Sequence, residues 1–341
     1  MVEAGLWEHL RFLGTLNLEG ATIDGGELTT GAWGEGFMDR RHPHTYAHEL
    51  LATLQDRPGN LSLTAGKGFA PFGTDDPMMR PALRYPVNHH FAQILERAVA
   101  IAAARVGPII AEVGLFNGDE PEEPDQWPLI AGRFGDSWSG RLTGLPIAGV
   151  ELQASFAHVH SPEHRPGEGT DQSKWSLSAL WDRPVDSVPV YGLVEWARTS
   201  EAEGFFVFHS FLAEGAWIPG RHRLYYRFER TERPEEERLS QFRSRRPHLE
   251  NSILGTTRWT IHTLGYDVGL GQLAGLRLRP LLELSLGSMT EVGGGLFDVE
   301  GLYGRSDFWT LSLGLRLDVG SPMPRMGRYG AARGVIKAHI H

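Results

Sequence analysis

The chain contains no cysteine, which rules out both a disulfide framework and thiolate metal sites. No uncharged apolar stretch reaches the roughly 18 residues a membrane-spanning helix needs. Positive charge is not in excess either. Lys+Arg number 33 against 42 Asp+Glu, a formal net charge of -9, which argues against general nucleic-acid binding. The opening MVEAGLWEHLRF has neither the basic start nor the apolar core of a secretory leader. The expectation is that a leader has been removed, or that it lies upstream of this start. None of these absences excludes a transmembrane β-barrel. Such a barrel hides its apolarity in alternation, and half of each strand can be polar.

What is present is a repeating pattern. Gly 42, Trp 10 and an aromatic share of 10% are high for a soluble domain. Segments in which every second residue is apolar recur from residue 8 to residue 319, the period of a half-buried strand. Strands are predicted over 8–21, 44–55, 61–73, 96–106, 109–118, 136–145, 149–161, 173–182, 189–199, 204–218, 221–231, 256–270, 276–288 and 307–319. Leu276-Arg277-Leu278-Arg279 and Leu311-Ser312-Leu313-Gly314-Leu315-Arg316-Leu317 show the alternation most cleanly. Segment 89–105 also has helical propensity. Its first half reads as loop with room for a short helix, its second half as strand.

The connections alternate in length. Short ones fall at 56–60, 106–108, 145–149, 182–188, 218–220 and 271–275; longer ones cover 22–43, 74–95, 119–135, 162–172, 199–204, 232–255 and 289–306. A barrel with periplasmic turns at one end and extracellular loops at the other has this rhythm. A soluble sandwich has no reason to sort its loops so. The predicted fold is therefore all-β: a transmembrane antiparallel up-and-down barrel of about fourteen strands, with 12 or 16 as the neighbouring even counts. Its predicted organisation is a periplasmic segment at 1–7, the barrel at 8–320 and a periplasmic C-terminal tail at 321–341. Loops 22–43, 74–95 and 232–255 are expected outside the cell, and turns 56–60 and 271–275 in the periplasm. Such a barrel belongs in the outer membrane of a Gram-negative bacterium.

Alternation also assigns two faces. Val150, Leu152, Ala154 and Phe156 oppose Glu151, Gln153 and Ser155, and Trp309 with Leu311, Leu313, Leu315 and Leu317 opposes Thr310, Ser312, Arg316 and Asp318. A Leu-rich face with Trp near strand ends suits lipid, and a face of small and charged residues suits a wet lumen. The lumen-lining candidates are Arg11, Glu19, Glu49, Lys67, Arg105, Glu112, Arg141, Glu151, Lys174, Glu195, Arg223, Arg227, Arg258, Arg277, Arg279, Glu283, Arg316 and Asp318. They either pair into ladders that hold the wall together or line a path for solutes. The near balance of signs argues against strong ion selectivity. Arg277 and Arg279, with Arg223 and Arg227, form the best local basic patch.

Other clusters hold residues of the kinds that carry chemistry. His42, His44 and His48, then His89 and His90, then His158, His160 and His164 lie at predicted strand ends and loops, where imidazoles could gather round a divalent metal. Ordinary loop histidines are the expected reading, so no cofactor is expected. The acidic run Asp119 to Asp125 could supply hard oxygens for calcium, but a solvated acidic surface is the simpler account. No G-x-S-x-G occurs. Gly135-Asp136-Ser137 is too short to mean a nucleophile block, and the adjacent His209 and Ser210 must point to opposite faces of a strand. An enzyme is not expected. The tail, with Arg325, Arg328, Arg333 and Lys337, is expected to be an unstructured extension, its alternatives being an arm for a periplasmic partner or a plug in the lower lumen.

The segment Gly66-Lys67-Gly68-Phe69-Ala70-Pro71-Phe72-Gly73 resembles the G-(K/R)-x-x-x-P-F-G strand end of porins of the phosphate-selective O/P type. Residues 75–88 resemble the loop that follows it, and Phe308 to Val319 is similar to the closing strand of outer-membrane barrels. The resemblance implies passive uptake of small hydrophilic solutes through a water-filled barrel, often a homotrimer. Two features depart from it: such barrels usually have about sixteen strands, and they end in an aromatic residue, whereas here a tail follows Gly320. Phosphate specificity is not carried over, because the lysine clusters are not visible. The function expected is an outer-membrane diffusion channel. A non-conducting barrel that serves as scaffold or sheath for a partner, such as an electron carrier or a surface ligand, is the alternative.

Overall fold

The computed structural model describes residues 1–16, 45–74, 80–119, 121, 133–162, 169–236, 253–273, 276–293, 298–319 and 325–333. One antiparallel sheet holds all the strands in these segments. They are β1 (Val2–Leu6), β2 (Leu10–Leu16), β3 (Ala47–Gln55), β4 (Leu61–Gly68), β5 (Arg97–Val106), β6 (Ile109–Phe116), β7 (Ser137–Gly144), β8 (Val150–Val159), β9 (Gln172–Val185), β10 (Val188–Glu201), β11 (Phe206–Trp217), β12 (His222–Glu236), β13 (Ile253–Val268), β14 (Gln272–Leu273), β15 (Leu276–Val292) and β16 (Asp307–Val319). Two short helices, α1 (His89–Ala92) and α2 (Val299–Tyr303), interrupt the loops. No helix among the described residues is long and apolar enough to cross a membrane.

Neighbours in sequence are neighbours in the sheet, the meander that short hairpins and antiparallel pairing produce. Turns such as Gly107-Pro108 and Asp186-Ser187 close the hairpins, with positive φ at Gly107, Asp186 and Ser187. Alternation predicts every strand except β1 and the two-residue β14. β1 extends the sheet below residue 8: the chain reverses at Trp7 (φ 58) and pairs Leu6 with Leu10. A strand of five residues with a non-glycine turn carries little periodic signal. Among the described residues no pairing joins β16 to β1.

The burial pattern is inverted relative to a soluble protein. On β8, Glu151, Gln153 and Ser155 are buried while Leu152 is exposed; on β9, Ser176 and Asp182 are buried while Trp175, Leu177 and Trp181 are exposed. β16 carries the sharpest case, with Leu313 at 80% exposure. The exposed face bears aromatic rings towards both strand ends. Trp138, Trp175 and Trp309 stand near the longer connections, and Trp181, Trp217 and Tyr266 near the short turns. Phe156 lies between Trp138 and Trp175, with ring centroids 5.1 and 4.5 Å away.

One long connection and the C-terminal segment occupy the concave side. Between β4 and β5, residues 69–74 and 80–96 touch inward side chains of β8, β10, β11, β12 and β15. A single loop reaching so many strands requires that the sheet curl around it. The loop turns inward at Gly73 (φ +66), where an added Cβ would stand 1.5 Å from the Ala92 carbonyl oxygen. Residues 325–333 pack inside against β3, β4, β6, β7 and β8. The expectation of an unstructured tail is corrected for these nine residues: Arg325 and Arg328 find buried carboxylates, and Met326 and Tyr329 join an apolar cluster with Leu51, Phe69 and Phe116.

Candidate functional site

The interior is a polar wall assembled from alternate residues of each strand, and opposite charges meet across neighbouring registers. Arg141 on β7 faces Glu112 on β6 and forks onto it, Nε to Oε2 at 2.6 Å and Nη2 to Oε1 at 2.7 Å. Arg223 on β12 donates to Asp267 on β13 at 2.5 Å, and Arg279 on β15 reaches the other oxygen of Asp267 at 2.6 Å. Arg227 donates to Glu214 on β11 at 2.7 Å. Paired, forked contacts of this kind are what make a buried charge tolerable.

The loop 69–96 is held by the same wall through its backbone. Glu283 accepts from Leu83 N–H at 2.7 Å, Glu229 from Val87 N–H at 2.7 Å, and Arg227 donates to the Arg84 carbonyl at 2.6 Å. Glu195 accepts from Asn88 Nδ2 at 2.9 Å and from Arg80 at 3.3 Å. Gly73 donates to Ser155 Oγ at 3.0 Å and accepts from Arg141 at 3.2 Å. Burial disfavours the charge of Arg84 and brings its pKa down to about 9, against the pull of Glu229 and Glu283. Burial, together with the Glu49 carboxylate, raises the Tyr329 phenol well above its ordinary value.

Most of the sequence-predicted lumen residues lie on this inward face. Glu49, Glu112, Arg141, Glu151, Lys174, Glu195, Arg223, Arg227 and Glu283 are buried there. Arg11 and Arg105 share the face with Leu13 and Ile101 but sit near the short-turn rim, and Arg11 pairs with Glu3 at 3.7 Å. Arg277, Arg279, Arg316 and Asp318 are half-buried on β15 and β16, with Arg277 opposite Asp318 and Arg279 opposite Arg316. Lys67 is buried in a separate cluster, where Thr45 takes its hydrogen bond and Glu96, also bonded to His48, lies 3.6 Å away. Glu19 lies outside the described residues.

Arg258 is a correction. The buried residues of β13 are Thr257, Trp259, Ile261, Thr263 and Asp267, so Arg258 points outward, where it pairs with Glu232 at 2.6 Å. The physical reason is an apolar patch on the inward face. Trp259 and Ile261 pack there against Val87 of the loop, Met289, Phe308 and the helix α2 residues Val299 and Tyr303. Trp259 and Ile261 therefore do not mark the outward face, although Leu264 and Tyr266 of the same strand do. Glu214, Asp267, Arg80, Arg325 and Arg328 were not expected in the site. Strand parity alone could have found Glu214, in phase with Leu212 and Ala216, and Asp267, in phase with Thr263.

Among the described residues the histidines do not assemble. His48 bonds Glu96 at 2.5 Å, and His160 and His158 share Asp171 at 2.6 and 3.5 Å. His42, His44 and His164 lie outside the described residues, and His89 and His90 open α1. Among the described residues no group of three or more His, Asp or Glu is placed to hold a metal ion. His209 is exposed and Ser210 buried, on opposite faces of β11.

A curled antiparallel meander with an apolar convex face, a charged concave face and a long loop folded inward defines a porin-type β-barrel fold. Among solved structures the chain is similar to an anion-selective porin from Comamonas acidovorans, with a TM-score of 0.52 and 11% sequence identity over 92% of this chain and 86% of that one. It is also similar to OmpT lacking loop L8, an outer membrane protein of Vibrio cholerae, with a TM-score of 0.50 and 9% identity over 92% of this chain and 87% of that one. No family profile and no curated protein matches the chain by sequence. At these identities the likeness is one of fold.

Proposed function

We propose that the protein is an outer-membrane channel for passive diffusion of small hydrophilic solutes. One observation carries the reading: ionisable side chains recur strand after strand on the inward face while leucines between aromatic rings cover the outward face. An exposed leucine band costs free energy in water and none in lipid, and an arginine at the bilayer midplane costs about 2–4 kcal/mol if it faces lipid. In this reading β16 meets β1 to close the barrel, the short turns are periplasmic, and the longer connections lie outside the cell except the one between β4 and β5, which was expected there but folds inward. The loop 69–96 narrows the lumen, and the motif Gly66–Gly73 that resembles porins of the phosphate-selective type marks its entry. Solutes are sorted by size and by charge rather than by a phosphate-specific site. No catalytic step or cofactor is required, and a trimer is the assembly that the resemblance suggests.

The test is single-channel recording of the purified protein in planar bilayers. Discrete ohmic steps support the channel. A silent bilayer with a folded, heat-modifiable protein rejects it in favour of the non-conducting barrel that holds a partner.

A further inference from the structure

Residues 325–333 have no part in the diffusion path just described, yet they are among the best-bonded in the interior. Arg328 donates to Glu151 at 2.6 Å and to Thr143 at 3.1 Å, and lies 3.5 Å from Glu112. It also bonds Gln153. Arg325 reaches Glu151 at 2.7 and 3.3 Å. Tyr329 donates to Glu49 at 2.8 Å and accepts from Phe69 N–H at 3.0 Å, while Ala331 N–H donates to Ser62 at 2.9 Å.

The charges are complementary. Where the segment sits, the wall presents the buried carboxylates of Glu49, Glu112 and Glu151 against one guanidinium, Arg141. Arg325 and Arg328 supply the two positive charges that balance it. Three buried carboxylates beside one cation would be costly without them. The segment's partners Ser62, Thr143 and Glu151 lie beside the short turns at 56–60 and 145–149, at the same end of the sheet as the end of β16.

We propose that residues 325–333 form a tethered plug, a guanidinium-bearing self-ligand on an acidic site of the inner wall that restricts the channel from the side of the short turns. The acidic site is accordingly one that recognises arginine-containing peptide. The effect on conductance rests on the channel reading; the docking does not.

The experiment compares the full chain with a chain ended after Val319 and with R325E/R328E, each carrying Thr143→Cys in a protein otherwise free of cysteine. Two quantities are read: conductance in planar bilayers, and the rate at which an impermeant maleimide modifies position 143. Removal or charge reversal of the plug should raise conductance by roughly twofold or more and speed labelling at least as much. A synthetic peptide of residues 321–341, added to the shortened barrel, should restore low conductance and protection. The same peptide with both arginines exchanged for Glu should not. Faster labelling in barrels that never conduct would sustain the plug and sink the channel. Equal labelling and equal conductance in all three proteins, each shown folded by heat modifiability, would overturn the plug. R325E/R328E keeps the test decisive if the shortened chain fails to fold.

Discussion

Leu313 and Arg316 stand three residues apart on β16 and meet opposite surroundings, one on the exposed face and one on the inward face. Leu313→Arg should cost roughly 2–4 kcal/mol in a lipid bilayer and lower the folded, heat-modifiable fraction, whereas Ser312→Arg on the inward face should assemble nearly as well as wild type. Equal assembly of both would contradict the assignment of faces. Gly265 gives a second residue-scale test. The Tyr225 ring lies over it, and an added Cβ would come within 1.9 Å of that ring. Aromatic cover of a strand glycine on a neighbouring register is a known means of fixing pairing. Gly265→Val should displace Tyr225 from Glu283, its partner at 3.1 Å, and lower the melting temperature in detergent. Single residues were legible in the sequence wherever alternation was clean, as with Glu151 between Val150 and Leu152. They were not legible on β13, where Trp259 and Ile261 are buried under a loop and α2, and so Arg258 reads as inward when it is outward.

Strands announced themselves because their period is local, and one face had to be apolar for each to exist. The same holds for the division of 89–105, where α1 ends at Ala92 and β5 begins at Arg97. The inward course of loop 69–96 had no such signal. Its anchors are Glu195, Glu229 and Glu283, all more than 100 residues away, with Leu83 to Glu283 spanning 200 positions. Only the buried run Phe69-Ala70-Pro71-Phe72 hinted that this connection is not a solvent loop. If the carboxylates hold the loop, releasing one should loosen it. Glu195 binds Thr74, Arg80 and Asn88 at once. Glu195→Ala leaves those three donors to find other partners, a cost of about 1–3 kcal/mol for each that stays buried and unpaired. Trypsin should then cleave detergent-solubilised protein after Arg84, a site buried in wild type. Cleavage at the same rate in both proteins would show that Glu195 does not restrain the loop.

At the scale of the whole molecule, one end of the sheet carries tight turns such as Gly107-Pro108 and Asp186-Ser187, the other end also has a short connection between β10 and β11, and orientation follows if the tight-turn end is periplasmic. Cysteine placed at Glu203, in the exposed turn after β10, should react with an impermeant reagent on intact cells; cysteine at Asp186, in the turn between β9 and β10, should react only after the outer membrane is opened. Equal reaction of both would contradict the topology. The distribution of charge leads to the last prediction. On the inward face of β12 to β16, near the short turns, Arg223, Arg277, Arg279 and Arg316 stand against Asp267 and Asp318, a local excess of two positive charges. Asp267 is shared by Arg223 and Arg279, and Asp318 stands opposite Arg277 and two residues from Arg316, so each group carries one of the two excess charges. Across the lumen, the arginines of 325–333 neutralise the acidic wall, and this leaves the β12–β16 side as the unbalanced field that a passing ion meets. R277E/R279E turns four positive and two negative groups into two positive and four negative, an excess of two negative charges. Reversal potentials under a salt gradient should therefore move towards cation preference, with R277Q/R279Q falling between the two. Asp267 keeps Arg223 as a partner in both variants, so the barrel should still assemble. Because surface fields are screened over about 8–10 Å at ordinary ionic strength, the shift should shrink as salt rises. An assembled, conducting R277E/R279E barrel with unchanged reversal potential at low salt would mean that ions do not pass this wall.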